Sequence, residues 1–479
     1  MPRKALFVPA KAAATAALIF ALAGCQSGPS GSHKRGVNAL LAAGNYAGAQ
    51  EYIIKSKENQ YGKKNMVLYY LDLGTVLFHA GKYKESDEAF DKAEQRMVEL
   101  YTKSVTKTAG MLVLNDATVD YAGEPFERAL TNAYRAFNWL FQGKTDEAVV
   151  EARKAGLFLD ELNRALGGKS KYKDDAFAQY LSALLYADAG KLDDARISMD
   201  KAMEAYSWYA SDYGTPAPHF DFPADDKKTP RGELIFFHFN GAAPIKISKS
   251  FQIAWNQAIA LARESADTEA DGAQFKNGLA AGITGKSITV SYPEYQAQPS
   301  TIRESEVIVD SDTATSAATV VVEDLQAIAS KTLQDRMALI RTRAIARATI
   351  KYVIAEVAAR AAAKACDQMP GGALAQAICK AGTRGAAHGV AAASEIADTR
   401  CWGTLPAQIR MARIKLPTGK HTVAVNFKGA AGNVVSTYIF KDVNIENSKR
   451  TYLTYRTLDA TVPVPSSAGT GAKAAARKK

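Results

Sequence analysis

The sequence predicts an α+β fold: irregular helical hairpins stacked as an α-solenoid, then a β-sheet or sandwich domain carrying inserted helices. Three observations lead there. One helical pattern recurs four times across residues 36–206, the chemistry of the chain changes after Tyr206, and period-two alternation of apolar residues marks both ends of the second half.

Residues 1–24 read as an export signal. Arg3, Lys4 and Lys11 form a basic start, residues 12–21 an apolar run, and Leu22 Ala23 Gly24 Cys25 closes it. These last four match a bacterial lipobox, a motif cut before its cysteine, which is then acylated. Cys25 is therefore the expected lipidation site and mature N-terminus, with residues 25–35 as a lipidated lead-in. The other reading, an uncleaved transmembrane anchor, suffers from length, because a span needs roughly 20 apolar residues. Gln26 rather than Asp follows the cysteine, and the resemblance to sorted lipoproteins implies the outer membrane, facing the periplasm, in a host with two membranes.

The 479 residues carry a formal net charge of +11, which loss of the signal lowers by its three cations. Lys473, Arg477, Lys478 and Lys479 fall in a Pro, Ser, Gly and Ala-rich end, so residues 459–479 are expected to be a disordered basic tail. Outside the cytoplasm nucleic acid is a poor partner. Peptidoglycan or another anionic surface suits such a tail, and so does solvent alone.

In the clearest helical copy, Tyr70, Leu73, Gly74, Leu77, Gly81, Tyr83, Ser86, Phe90 and Ala93 fall where the tetratricopeptide (TPR) pattern wants aromatic, Leu, Gly, large, turn-glycine, aromatic, small, Phe and Ala. The pattern has a packing reason. Small residues at 74 and 86 let antiparallel helices approach, Gly81 ends the first helix, and Phe90 fills the groove. Weaker copies centre on Gly44, Gly143 and Gly190. Their uneven spacing predicts an irregular TPR-like domain over 36–210, with an insertion at 102–126 that caps or fills the concave face. A plain helical bundle is the blander account.

Residues 211–231 read as a linker. Beyond it strands are expected at 233–240, at 287–292 where Pro293 stops the run, at 305–310 and at 319–322. A long helix over 323–364 follows, opening a helical insertion to about 397. Its Arg336, Arg341, Arg343, Arg347 and Lys351 suit a solvated face better than a phosphate grip. Four closing strands at 409–416, 421–427, 434–443 and 451–458 read as a small antiparallel sheet or sandwich and are expected to pair with the earlier ones, making 232–458 one α+β domain.

Of the remaining cysteines, Cys366 and Cys379 flank the turn signal Met369 Pro370 Gly371 Gly372 and form the candidate disulfide. Cys401 is left over, buried or paired outside the chain. No histidine stands at metal-ligand spacing from these cysteines, so neither metal nor cofactor is expected.

Residues 115–155, 232–247, 292–295, 323–352 and Ala397 Asp398 Thr399 Arg400 Cys401 Trp402 Gly403 Thr404 Leu405 Pro406 resemble blocks of an uncharacterised bacterial lipoprotein family with N-terminal TPR-like repeats. That resemblance implies architecture and no activity. Leu416 Pro417 Thr418 Gly419 Lys420 His421 Thr422 Val423 resembles a short motif of PEGA-type surface β-domains.

No nucleophile elbow, zinc helix, phosphate loop or dinucleotide fingerprint occurs. Asp398, Arg400 and Trp402 form the candidate functional cluster, since a charged pair beside a tryptophan can bind sugar or peptide. A structural ion pair under an aromatic lid is the other account. The function expected is a non-catalytic envelope scaffold whose groove binds another envelope protein. A wall-polymer binder is the alternative, and a wall or glycan hydrolase stands behind both.

Overall fold

The structure, a computed structural model, describes residues 28–105, 119–165, 172–218, 230–264, 287–370 and 372–459. Cys25, the signal segment and nearly all of the basic tail lie outside these residues, as does much of the 102–126 insertion. The chain is mixed α+β, helical in its N-terminal part, with sheets in its C-terminal half.

Eight helices pair in succession: α1 (Gly31–Ala42) with α2 (Tyr46–Lys55), α3 (Met66–His79) with α4 (Tyr83–Val105), α5 (Pro125–Phe141) with α6 (Thr145–Ala165), and α7 (Ala176–Asp188) with α8 (Leu192–Asp212). One glycine reverses each pair. Gly44, Gly81, Gly143 and Gly190 have φ of +68°, +74°, +75° and +73°, where an L side chain costs about 1–2 kcal/mol. The same two bonds close every first helix. At the second hairpin Gly81 N–H donates to the Phe78 carbonyl at 3.0 Å and Lys82 N–H to that of Leu77 at 2.9 Å.

Within α3/α4 a Cβ on Gly74 would lie 2.8 Å from Phe90 Cε1, so only glycine lets the Phe90 ring seat there. Ser86 Oγ donates to the Gly74 carbonyl at 2.8 Å. Leu77, Phe90 and Ala93 are buried, Tyr70 and Leu73 pack against the core edge, and Tyr83 stacks on Phe141.

The strands are β1 (Arg231–Asn240), β2 (Ile245–Ala254), β3 (Ser287–Gln296), β4 (Ile302–Val309), β5 (Asp312–Ala318), β6 (Val320–Asp324), β7 (Gln408–Pro417), β8 (Gly419–Gly429), β9 (Val434–Ile445) and β10 (Arg450–Thr457). They form a first sheet ordered β10-β1-β7-β6, a second ordered β5-β4-β8-β9, and a β2-β3 ribbon. Strand β1 explains the layering. Its Ile235, Phe237 and Phe239 join the core shared with the helices, while Leu234 and Phe236 join the core shared with the second sheet. The order is helices, first sheet, second sheet. The hydrophobic core thus runs across the expected linker without a break, Phe137 meeting Phe237 edge-on at 5.1 Å and Tyr134 stacking on Phe239.

Helices α9 (Trp255–Glu264), α10 (Leu325–Asp335), α11 (Met337–Cys366) and α12 (Gly372–Ala393) are inserted among the strands. Several local expectations need correction. The 323–364 helix is in fact two helices: residues 323–324 close β6, Asp324 caps α10 by accepting from Ala327 N–H, and the helix breaks at Arg336. Strand β3 runs through Pro293, which sits in a two-stranded ribbon where a missing N–H is tolerated at the free edge. Strands β2 and β5 were not anticipated, and the closing strands, expected as one antiparallel sheet or sandwich, divide between the two sheets with β10 parallel to β1. Arg347 and Lys351 are buried rather than solvated, both paired to Glu395 at 2.9 and 2.8 Å. Cys366 and Cys379 are joined as a disulfide, and Cys401 is a buried free thiol. Among the described residues no helix is long and apolar enough to cross a membrane.

Candidate functional site

After α12 the chain returns across the helical layer as an extended segment, residues 394–407, before entering β7. It carries Asp398, Arg400 and Trp402 and meets polar side chains of three helices. Helix α3 meets it with Asp72 and Thr75, three residues apart and so on one face. Helix α5 meets it with Glu127, and α1 with Lys34 and Asn38.

The structure pairs Arg400 with the half-buried Asp398 and turns Arg400 and Trp402 inward, each to its own set of partners. Trp402 is 1% exposed and Arg400 3%. The Trp402 indole N–H is shared between Thr75 Oγ1 at 3.1 Å and Thr404 Oγ1 at 3.0 Å, and its backbone N–H donates to Glu127 Oε1 at 2.8 Å. Thr404 donates through both its hydroxyl, at 2.9 Å, and its backbone N–H, at 3.2 Å, to Asp72 Oδ1. Tyr61 donates to Asp72 Oδ2 at 2.9 Å and sits 3.1 Å from His33 Nε2, which leaves His33 as the donor. Arg400 grips Asp398 through two nitrogens, donates to the Val119 carbonyl at 2.7 Å and to Asn65 Oδ1 at 3.3 Å, and lies over the Tyr121 ring.

A second charged group lies beside it. Glu124 caps α5 and receives Lys246 from β2 and Arg336 from the α10/α11 break, the latter at 2.6 Å. Burial pushes its carboxyl up, but the two cations prevail and hold it below the usual carboxylate range. Glu127, buried and next to the Glu124 charge, is raised instead, and accepts from the Tyr121 hydroxyl at 2.6 Å. Burial lifts Asp72 to about 6 against the pull of its hydrogen bonds, and burial assisted by the Lys34 charge lowers His33 to about 4.

Chemically this is a clamp. Arg400 and Trp402 spend their donors within the interior, Asp398 is held by Arg400, and neither the Trp402 ring nor the Arg400 charge is turned to solvent for a sugar or peptide. The segment ties α1, α3 and α5 to β7, and the Glu124 group ties α5 to β2 and α11. At the described end of the 102–126 insertion, Tyr121 and Glu124 lie within the same interior. Sequence reasoning missed Asp72, Glu127, Glu124 and Lys246. One signal was available: Asp72 is the single acid in the apolar run of α3, and an acid there needs buried partners.

The disulfide lies elsewhere, at the far end of the α11/α12 hairpin. The TPR-pattern residues are packing residues of α3 and α4. The chain matches no known family pattern, and no curated protein is significantly similar to it.

Proposed function

We propose that the chain is a non-catalytic envelope lipoprotein, anchored through acylated Cys25 in the outer membrane, whose TPR-like hairpins display a surface for another envelope protein. The lipobox Leu22 Ala23 Gly24 Cys25 supports the anchor, and the four glycine-reversed hairpins support the repeat reading. The observation that carries the scaffold role is the division of labour within each hairpin. First helices α3, α5 and α7 are buried under the chain's own first sheet, so the face that would line a groove is already filled. Second helices α6 and α8 instead present Val150, Leu157, Leu192, Ile197 and Met203 outward, Leu157 at 53% and Leu192 at 67% exposure. A partner therefore meets the outer face, where exposed apolar side chains are commonly binding residues when they cluster.

The test is capture from solubilised envelope with the acylated chain. Leu157→Glu and Ile197→Glu together should abolish recovery of one specific partner at unchanged helicity. Deleting residues 462–479 should leave it intact. Capture that survives the outer-face pair sinks the scaffold surface, and dependence on the tail would favour wall-polymer attachment. Cys25→Ser should release the chain from the membrane fraction.

A further inference from the structure

Residues 28–30 are part of the packed body. Gly28 and Pro29 are buried, and a Cβ on Gly28 would lie 2.8 Å from Arg400 Cγ, so the backbone there rests on the stem of that arginine. Ser30 N–H donates to Gln60 Oε1 at 3.0 Å, and the Ser30 hydroxyl caps α1 by accepting from His33 N–H at 3.1 Å. Lys34, one turn on, donates to the Thr399 carbonyl at 3.5 Å. The entry of the chain is therefore fixed between the 394–407 segment and the two short turns that join α2 to α3, Lys57–Tyr61 and Lys63–Asn65.

Exposed cations surround this entry. Lys63 and Lys64 are exposed, and the Lys64 carbonyl accepts from Tyr121 N–H at 2.8 Å, next to the Asn65 side chain and Val119 carbonyl that Arg400 holds. Arg35 is exposed too and folds back over the start of α1, its Nη1 3.4 Å from where a Cβ on Gly31 would stand. Across residues 28–38 and 56–65 the chain sets Lys34, Arg35, Lys57, Lys63 and Lys64 against Glu58 alone. Asp398 and Asp120, on the segments alongside, are already held by Arg400 and Arg96. Among the described residues Arg35, Lys63 and Lys64 form no ion pair, so positive charge is left over at this end of the molecule.

Chain length brings that charge to a membrane, given the acylated Cys25 of the reading above, on which this step rests. Cys25 stands three residues before Gly28, and three residues span at most about 11 Å. The Debye length at physiological ionic strength is about 8 Å. An acylated cysteine lies at headgroup level, which holds the entry within electrostatic reach of the lipid surface. The same tether is about one helix diameter long, so a folded protein does not fit between the entry and the bilayer.

We propose that Arg35, Lys63 and Lys64 dock the body on the anionic phospholipid surface that carries the anchor, with α1 and the α2/α3 turns facing the membrane. The hairpins follow one another from that end, α2 against α3, α4 against α5 and α6 against α7. Docking thus sets the direction in which the outer face of α6 and α8 is displayed.

The acylated full chain, labelled at Asn59→Cys beside the entry or at Asp200→Cys on α8, both exposed positions, is reconstituted into vesicles bearing a quencher on the lipid headgroups. Vesicles of equal parts phosphatidylglycerol and phosphatidylcholine should quench the Asn59 label more than phosphatidylcholine alone, and neither should quench the Asp200 label. Arg35→Gln, Lys63→Gln and Lys64→Gln together should lower the docked-to-undocked ratio on phosphatidylglycerol about a hundredfold, about fivefold for each cation. Equal quenching on the two vesicle types, an Asp200 label quenched as strongly as the Asn59 label, or a triple variant that behaves like the parent would each overturn the docking while leaving the anchor in place. Cys25→Ser retained on membranes through a high-salt wash would instead remove the anchor, and the docking with it.

Discussion

Hairpins α3/α4 and α11/α12 both reverse the chain within a few residues, and they are secured by different means. In α3/α4 the Phe90 ring lies against Gly74, Ser86 donates to the Gly74 carbonyl, and most of α3 is buried. In α12 only Ala387 and Ala391 are buried, while Leu374 and Ile378 are 76% and 65% exposed. There the helices are joined by the Cys366–Cys379 disulfide and by Glu356, which receives Arg360, Arg384 and His388 at 3.0, 2.9 and 2.9 Å. The difference follows from side-chain size. A stretch of Ala and Gly has little apolar area to remove from water, at roughly 25 cal/mol per Å², so a covalent link and charges take over.

The largest effect is expected where burial does the holding. Phe90→Ala should lower the free energy of unfolding by about 3–5 kcal/mol in denaturant titration, because the Gly74 notch is left empty. A loss below about 1 kcal/mol would remove the contrast between the hairpins.

Next comes a pH effect where α1 meets α3. Asp72, lifted to about 6, keeps in the folded state a proton that the unfolded chain releases from about pH 4, so its contribution to stability falls as pH rises through that window. His33, lowered to about 4, refuses in the folded state a proton that the unfolded chain takes up below about 6.5, so its contribution rises with pH. The two slopes oppose each other, each worth about 3 kcal/mol over its window. Measured against the parent chain, Asp72→Asn should gain stability as pH rises from 4 to 6, and His33→Gln should lose it as pH rises from 4 to 6.5. Thermal melts giving the two variants parallel profiles would contradict this assignment.

The smallest effect is expected at the other hairpin. Removing the disulfide with Cys366→Ala and Cys379→Ala should cost about 2 kcal/mol. It should raise amide exchange in α12 and the end of α11, leaving α3/α4 protected. Exchange that rises equally in both would show the two hairpins to be one cooperative unit.

Much of the fold was legible because its determinants are local. The four turn glycines announce themselves by position, and β1, β7, β8 and β10 by β-branched and aromatic runs. What stayed hidden depends on distant partners. Strand β2, Ile245–Ala254, is interrupted by Lys246, Ser248, Lys249 and Ser250, and Lys246 is buried only because Glu124 waits on α5. Arg347 and Lys351 read as a wet face until Glu395, more than forty residues on, supplies the charge. At the candidate cluster the composition was legible and the direction was not, since nothing in Asp398, Arg400 and Trp402 tells that Asp72 and Glu127 cover them. Strand end and helix break, at 324 and 336, fall at caps, where single residues decide and periodicity is blind.

Strand β10 is the last element of the described chain, and it lies parallel to β1, register Glu233 with Arg450 through Asn240 with Thr457. A ribosome releases β1 some two hundred residues before the strand that completes its edge. Through that interval the aromatic edge around Phe237 and Phe239 is a template for any extended peptide nearby. Nascent chains of this protein should consequently need shielding until β10 emerges, and a stop codon placed before Arg450 should yield aggregate instead of a shortened native molecule.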